Sequence, residues 1–146
     1  MKTIKFNTKI NAPKEKVWGV LWGAESYRAW TKPFAEGSDV KTDWKEGSTI
    51  WFTDGKDSGM YGVIDKKVPN VQMKFKHLGM LKDGKELPID KQTESWSGSI
   101  EDYQLTENNG VTEVSVSLDS TEEHKDYMEK TFPQALQIVK ELSEKS

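Results

Sequence analysis

The sequence predicts an α+β domain, an antiparallel sheet closed by a long C-terminal helix, and three observations carry that prediction. An alternating segment at the N-terminus runs into an amphipathic helix with almost no loop between them. An Asn-Gly pair joins two further alternating segments. The C-terminal segment then repeats its apolar residues at helical spacing.

From Thr3 to Asn11, Ile4, Phe6, Thr8 and Ile10 share one face, and Lys5, Asn7, Lys9 and Asn11 share the other, the period-2 signature of a strand with one buried side. Asn11 is a competent N-cap, and Pro13 stands near the first helical position, where its missing N–H costs nothing. Val17, Val20, Leu21 and Ala24 then recur at helical spacing, with Trp18 and Trp22 one turn apart and packed on the sheet. Glu25 to Thr31 reads as a second short helix, stopped ahead of Pro33.

Ser38, Val40, Thr42 and Trp44 alternate as a strand, and a turn at Lys45-Glu46-Gly47 leads to the next strand, Ser48 to Thr53. Asp54 to Gly59 is a polar connection. Met60 to Val68 and Val71 to Leu78 pair around Pro69-Asn70. If Val68 and Val71 bracket that turn, His77 lies across from Gly62 and shares a face with Ile64, Met73 and Phe75. Gly79 to Thr93 reads as a long loop with room for a small hairpin, either a binding lid or a tolerated insertion.

Ser95 to Thr106 and Val111 to Asp119 form a hairpin whose Asn109-Gly110 tip favours a type I′ turn. That turn pairs Asn108 with Val111, Leu105 with Val114, Tyr103 with Val116 and Glu101 with Leu118. The buried face then carries Leu105, Tyr103, Val114, Val116 and Leu118, followed by Glu101, Ser99 and Ser97. A bulge near Gly98 would turn Trp96 inward instead. Glu122 to Ser143 is helical, with a stripe of Met128, Ala135, Leu136, Val139 and Leu142, and with Tyr127, Phe132 and Ile138 at its edges. Pro133 is expected to bend or restart it.

At 146 residues the chain fits one domain, 1–146, without linker or repeat. The net charge is −3, Arg28 is the only arginine and the lysines are scattered, a pattern unlike a nucleic-acid reader. No apolar run is long enough to span a membrane, and the N-terminus lacks a signal-peptide core. Without cysteines there is neither disulfide nor thiolate chemistry. A cytoplasmic protein is the expectation.

Several short motifs resemble the START-like (SRPBCC) superfamily. The strand, the Ala12-Pro13 pair and the Val17-Trp18 helix resemble its opening. Tyr27 to Phe34, Asp43 to Ser48, Gly62-Val63-Ile64 with Val68-Pro69 and Val71, and Gly110-Val111-Thr112 with Val114 and Val116 are similar to the branch homologous to the activator of heat shock protein 90 ATPase. This resemblance implies a helix-grip fold: a curved antiparallel sheet of six or seven strands around the C-terminal helix, two short helices at one end, and an apolar cavity between sheet and helix. It also implies three kinds of function. The first is non-catalytic binding of a small hydrophobic or amphipathic molecule, the second a chaperone partner, and the third a cavity enzyme of cyclase or hydrolase type.

The residues themselves hold little catalytic chemistry. There is no metal-ligand spacing, nucleophile elbow, phosphate loop or dinucleotide fingerprint, so neither metal nor cofactor is expected. His77 and Glu101 are the one acid–base pair the register brings inward, and a carboxylate there must be paired, hydrated or neutral. His124 reads as exposed, and Trp51 as an outer-face aromatic able to mark a partner surface. The expected ligand lining is Phe52, Phe75 and Tyr103 on the sheet, Met128 and Phe132 on the long helix, and Trp30 and Phe34 at the entrance. His77 and Glu101 would supply the polar contacts.

Overall fold

The alternating residues Lys2–Ile10 form β1, and they set the frame for the rest of the sheet. Ile4, Phe6, Thr8 and Ile10 face Leu118, Val116, Val114 and Thr112 across an antiparallel ladder, so both strands present one apolar face. The computed structural model describes residues 1–145. After β1 come α1 (Lys14–Trp22), α2 (Ala24–Trp30), β2 (Asp39–Lys41), β3 (Thr49–Thr53), β4 (Gly59–Val68) and β5 (Gln72–Lys82). Then follow β6 (Lys85–Glu86), α3 (Lys91–Glu94), β7 (Ser99–Asn108), β8 (Val111–Ser120) and α4 (Glu122–Glu144).

The strands run β1-β8-β7-β5-β4-β3-β2, all antiparallel, and the two-residue β6 adds to β5 beyond the end of β7. The expected sheet and terminal helix are both present. The β7–β8 register is the one set by the Asn109-Gly110 turn, with Leu105 facing Val114 and Glu101 facing Leu118. Both turn residues have positive φ, 52° and 79°, as a type I′ turn requires.

The β4–β5 pairing reaches the expected partners by another route. Val68 pairs with Gln72 rather than with Val71, and an irregularity at Asp65 restores the offset, so Ile64 faces Phe75 and Gly62 faces His77. At Gly62 a Cβ would sit 2.1 Å from the Lys76 carbonyl oxygen, so only glycine lets the strands approach there.

Several boundaries differ from expectation. Pro13, not Asn11, is the N-cap of α1, and Asn11 instead donates its backbone N–H to Glu144 at 2.8 Å. Ala24 is exposed at the start of α2. β2 stops at Lys41, and Trp44 beyond it takes φ 62°, a left-handed conformation outside the strand region. The stretch from Gly79 is more regular than a loop: β5 continues to Lys82, Asp83-Gly84 turns, and β6 and α3 follow. β7 begins at Ser99, after the left-handed Gly98 (φ 92°). α4 runs unbroken through Pro133, so the proline does not restart it.

The core lies between the concave face of the sheet and the layer made by α1, α2 and the C-terminal half of α4. Phe132, Ala135, Leu136 and Val139 are buried, which moves Phe132 from the edge of the stripe to its centre. Trp22 is the hub, with Trp30, Trp44, Phe75 and Tyr103 around it at ring separations of 5.0–6.4 Å. Edge-on aromatic packing of this kind fills space well with few residues, which suits a chain whose apolar fraction is only 34%.

Candidate functional site

The two halves of α4 differ. Thr131, Phe132, Ala135, Leu136, Val139 and Ser143 are buried, whereas no residue from Glu122 to Lys130 is. Opposite the first half, the inward face of β7 changes from Leu105 and Tyr103 to Glu101 and Ser99. A small polar residue facing a helix that is not packed down leaves space, and a cavity of about 420 Å³ opens there.

Its walls come from four parts of the chain. β4 and β5 contribute Met60, His77 and Met80; β7 and β8 contribute Ser99, Glu101 and Leu118. The segment after β6 contributes Gln92, Ser95 and Trp96, and α4 contributes Glu123, His124, Met128 and Phe132. Its apolar surface is therefore rich in methionine, whose flexible side chains adapt to differently shaped ligands.

The polar side of the cavity is a connected group. Phe75 pairs with Glu101 across β5 and β7, so His77, two residues on, lies diagonally across from Glu101 within reach of its side chain. His77 Nε2 meets Glu101 Oε1 at 2.9 Å, and the Tyr103 hydroxyl donates to Glu101 Oε2. Tyr103 is fully buried, and burial, together with the neighbouring Glu101 carboxylate, holds its phenol well above the ordinary 10.0. It therefore remains a donor, and Glu101 is the acceptor.

The imidazole orientation follows from the same bonds. Nε2 donates to Glu101, while Nδ1 is buried without a partner among the described residues. A bare ring nitrogen is cheaper to bury than an N–H lacking an acceptor, so the proton belongs on Nε2. Phe52 packs against the imidazole with ring centroids 4.9 Å apart and limits its rotation. One ring nitrogen is thus engaged and the other covered.

Of the residues read from sequence as ligand contacts, His77, Glu101, Met128 and Phe132 line the cavity. Phe52, Phe75 and Tyr103 stand behind that wall, in contact with one another or with His77. Trp30 is only 2% exposed, and its Nε1 donates to the Leu21 carbonyl at 3.0 Å; it belongs to the core rather than the entrance. Phe34 packs against Phe132 and Tyr127, outside the lining. The β-strand alternation missed Met60 and Met80, which face each other near an irregularity in the β4–β5 pairing. Trp96 enters the lining beside the turn at Gly98, where alternation stops and an inward tryptophan was one of two readings. His124 is exposed at the rim, as expected, and Trp51 is half-buried with its Nε1 donating to Glu86 at 2.8 Å.

Among the described residues no group of histidines and carboxylates has the arrangement of a metal site, and no helix is long and apolar enough to cross a membrane.

Known structures share this architecture. The Aha1 dimer from Colwellia psychrerythraea, solved in solution, is 22% identical, with a TM-score of 0.73 over 99% of this chain and 97% of that one. A protein from Mesorhizobium loti is 13% identical, with a TM-score of 0.74 over 97% of this chain and 96% of that one. CalU16 from Micromonospora echinospora is 14% identical, with a TM-score of 0.68 over 97% of this chain and 76% of that one. At these identities the likeness is one of fold. No curated protein matches the chain. The sequence itself matches the family described as activator of Hsp90 ATPase homolog 1-like protein over residues 11–144, nearly its full length, and the chain belongs to that family.

Proposed function

We propose that this protein binds a small hydrophobic or amphipathic molecule, without transforming it, between the sheet and the first half of α4. The cavity of about 420 Å³ carries this reading. Its size falls within the roughly 300–1,000 Å³ typical of small-molecule sites, and an apolar lining with a few fixed polar groups is the usual chemistry of such sites. The hydrogen-bonding of His77 supports binding over catalysis. With Nε2 engaged by Glu101 and Nδ1 covered, neither nitrogen is presented to a substrate for proton transfer. A cytoplasmic location is part of the proposal.

Calorimetric titration with single-chain amphiphiles below their micelle concentrations tests it. Saturable binding of one molecule per chain is expected, weakened at least about tenfold by Met128→Trp, which fills the cavity from the helix side. Heats that never saturate, or binding indifferent to Met128→Trp, would count against this site.

Membership of the activator family supports a second reading, a module that docks on a chaperone. Retention of this chain by an immobilised heat shock protein 90 homologue, undiminished by Met128→Trp, would favour it.

A further inference from the structure

The charges around the cavity bear on what its ligand carries. Glu101 lies on the inner wall with its side chain 22% exposed, and Glu123 is exposed on α4. Lys and Arg make up 21 of the 146 residues, yet none lines the cavity among the described residues. Scattered lysines cover the outside of this protein, so their absence here leaves the carboxylates without fixed counter-charges.

Neither hydrogen-bond partner of Glu101 is a lysine or an arginine. Glu101 receives the Tyr103 hydroxyl and an imidazole N–H. The opposing influence is the N-terminus of α4, which adjoins the cavity and carries about half a positive charge. Glu122, paired with Lys2 at 3.1 Å, and Glu123 already occupy its first turn, and half a charge does not offset the two carboxylates of Glu101 and Glu123.

Resting on the ligand-binding reading above, we infer that the polar end of the ligand is cationic, an amine or ammonium on an apolar body, and that anionic amphiphiles such as fatty acids are excluded. The apolar body lies against Met60, Met80, Met128 and Leu118, and the cation lies within reach of Glu101 and Glu123.

A matched set separates head-group choice from cavity binding: decylammonium, decanol and decanoate, titrated calorimetrically against the whole chain at neutral pH and low salt. Decylammonium should bind at least about tenfold more tightly than decanoate, with decanol between them, since two charges near a protein surface interact more strongly than in bulk water. Glu101→Gln and Glu123→Gln should each narrow that ratio. Glu123 is exposed, so its variant is expected to fold even if loss of the Glu101 charge disturbs the wall. Equal or tighter binding of decanoate would overturn the cationic inference while sustaining the cavity reading. Saturable binding by none of the three would overturn the cavity reading itself.

Discussion

Tyr103, Glu101 and His77 show how single atoms hold the polar wall of the cavity. Tyr103→Phe removes one of the two donors to Glu101 and should lower stability by about 1–3 kcal/mol, measured by urea unfolding at neutral pH. The raised phenol pKa gives a second signature. Its stabilisation is present below pH 10.0, the ordinary tyrosine value, and is lost as the pH climbs toward the higher folded value. Thermal melts in this range should therefore show a shallower alkaline decline for Tyr103→Phe than for the parent. An equal decline would mean that the hydroxyl is not held as described. The inward placement of Glu101 was readable from the Asn109-Gly110 turn alone, because a two-residue turn sets the register of every pair behind it. The exclusion of Trp30 from the cavity was not readable. Helical spacing says that a tryptophan is buried, but its bond to the Leu21 carbonyl depends on how α1 and α2 cross.

At the scale of elements, α4 holds the molecule together by one half and forms the cavity with the other. Leu136→Ala should cost about 2–5 kcal/mol, because it empties a site that is only 3% exposed. A loss under about 1 kcal/mol would place that stripe against open space. Pro133 lies exposed within the continuous helix and removes one backbone hydrogen bond. Pro133→Ala should therefore raise stability by about 1–3 kcal/mol, read by chemical denaturation. The C-terminal end of α4 is fastened by Glu144, which accepts from Lys140 at 2.7 Å and from the Asn11 N–H at 2.8 Å. Both bonds hold its carboxyl below the ordinary 4.5. The stabilisation is thus present above that value and is lost as the pH falls through the lower folded one. Glu144→Gln should flatten the acid side of the melting-temperature profile, and an unchanged acid limb would contradict the fastening. Strand and helix identities followed from periodicity, which depends on local residues. The end of β2 at Lys41, ahead of the left-handed Trp44, and the cap at Pro13 depended on backbone angles and a bond to the far end of the chain, which periodicity does not encode.

For the whole molecule, the fold was legible because two hairpins and one long helix carry strong local signals, whereas the β1–β8 and β5–β7 pairings that complete the sheet join strands distant in sequence. The cavity was only half legible. Residues on regular strands and helices, such as His77, Glu101, Met128 and Phe132, could be placed by face. Met60, Met80 and Trp96 sit where bulges and turns interrupt alternation, and there a face is decided by neighbouring strands. The five methionines make occupancy of the cavity directly observable. Met60, Met80 and Met128 line it, whereas Met73 is fully buried in the core and serves as an internal reference. The most direct measurement is therefore an NMR titration of methyl-labelled methionine with decylammonium, decanol and decanoate. If the cavity binds an amphiphile, at least one of these ligands should shift the Met60, Met80 and Met128 methyls together and to saturation, with Met73 nearly unmoved. Unchanged spectra with all three, or shifts confined to methionines outside the lining, would contradict it.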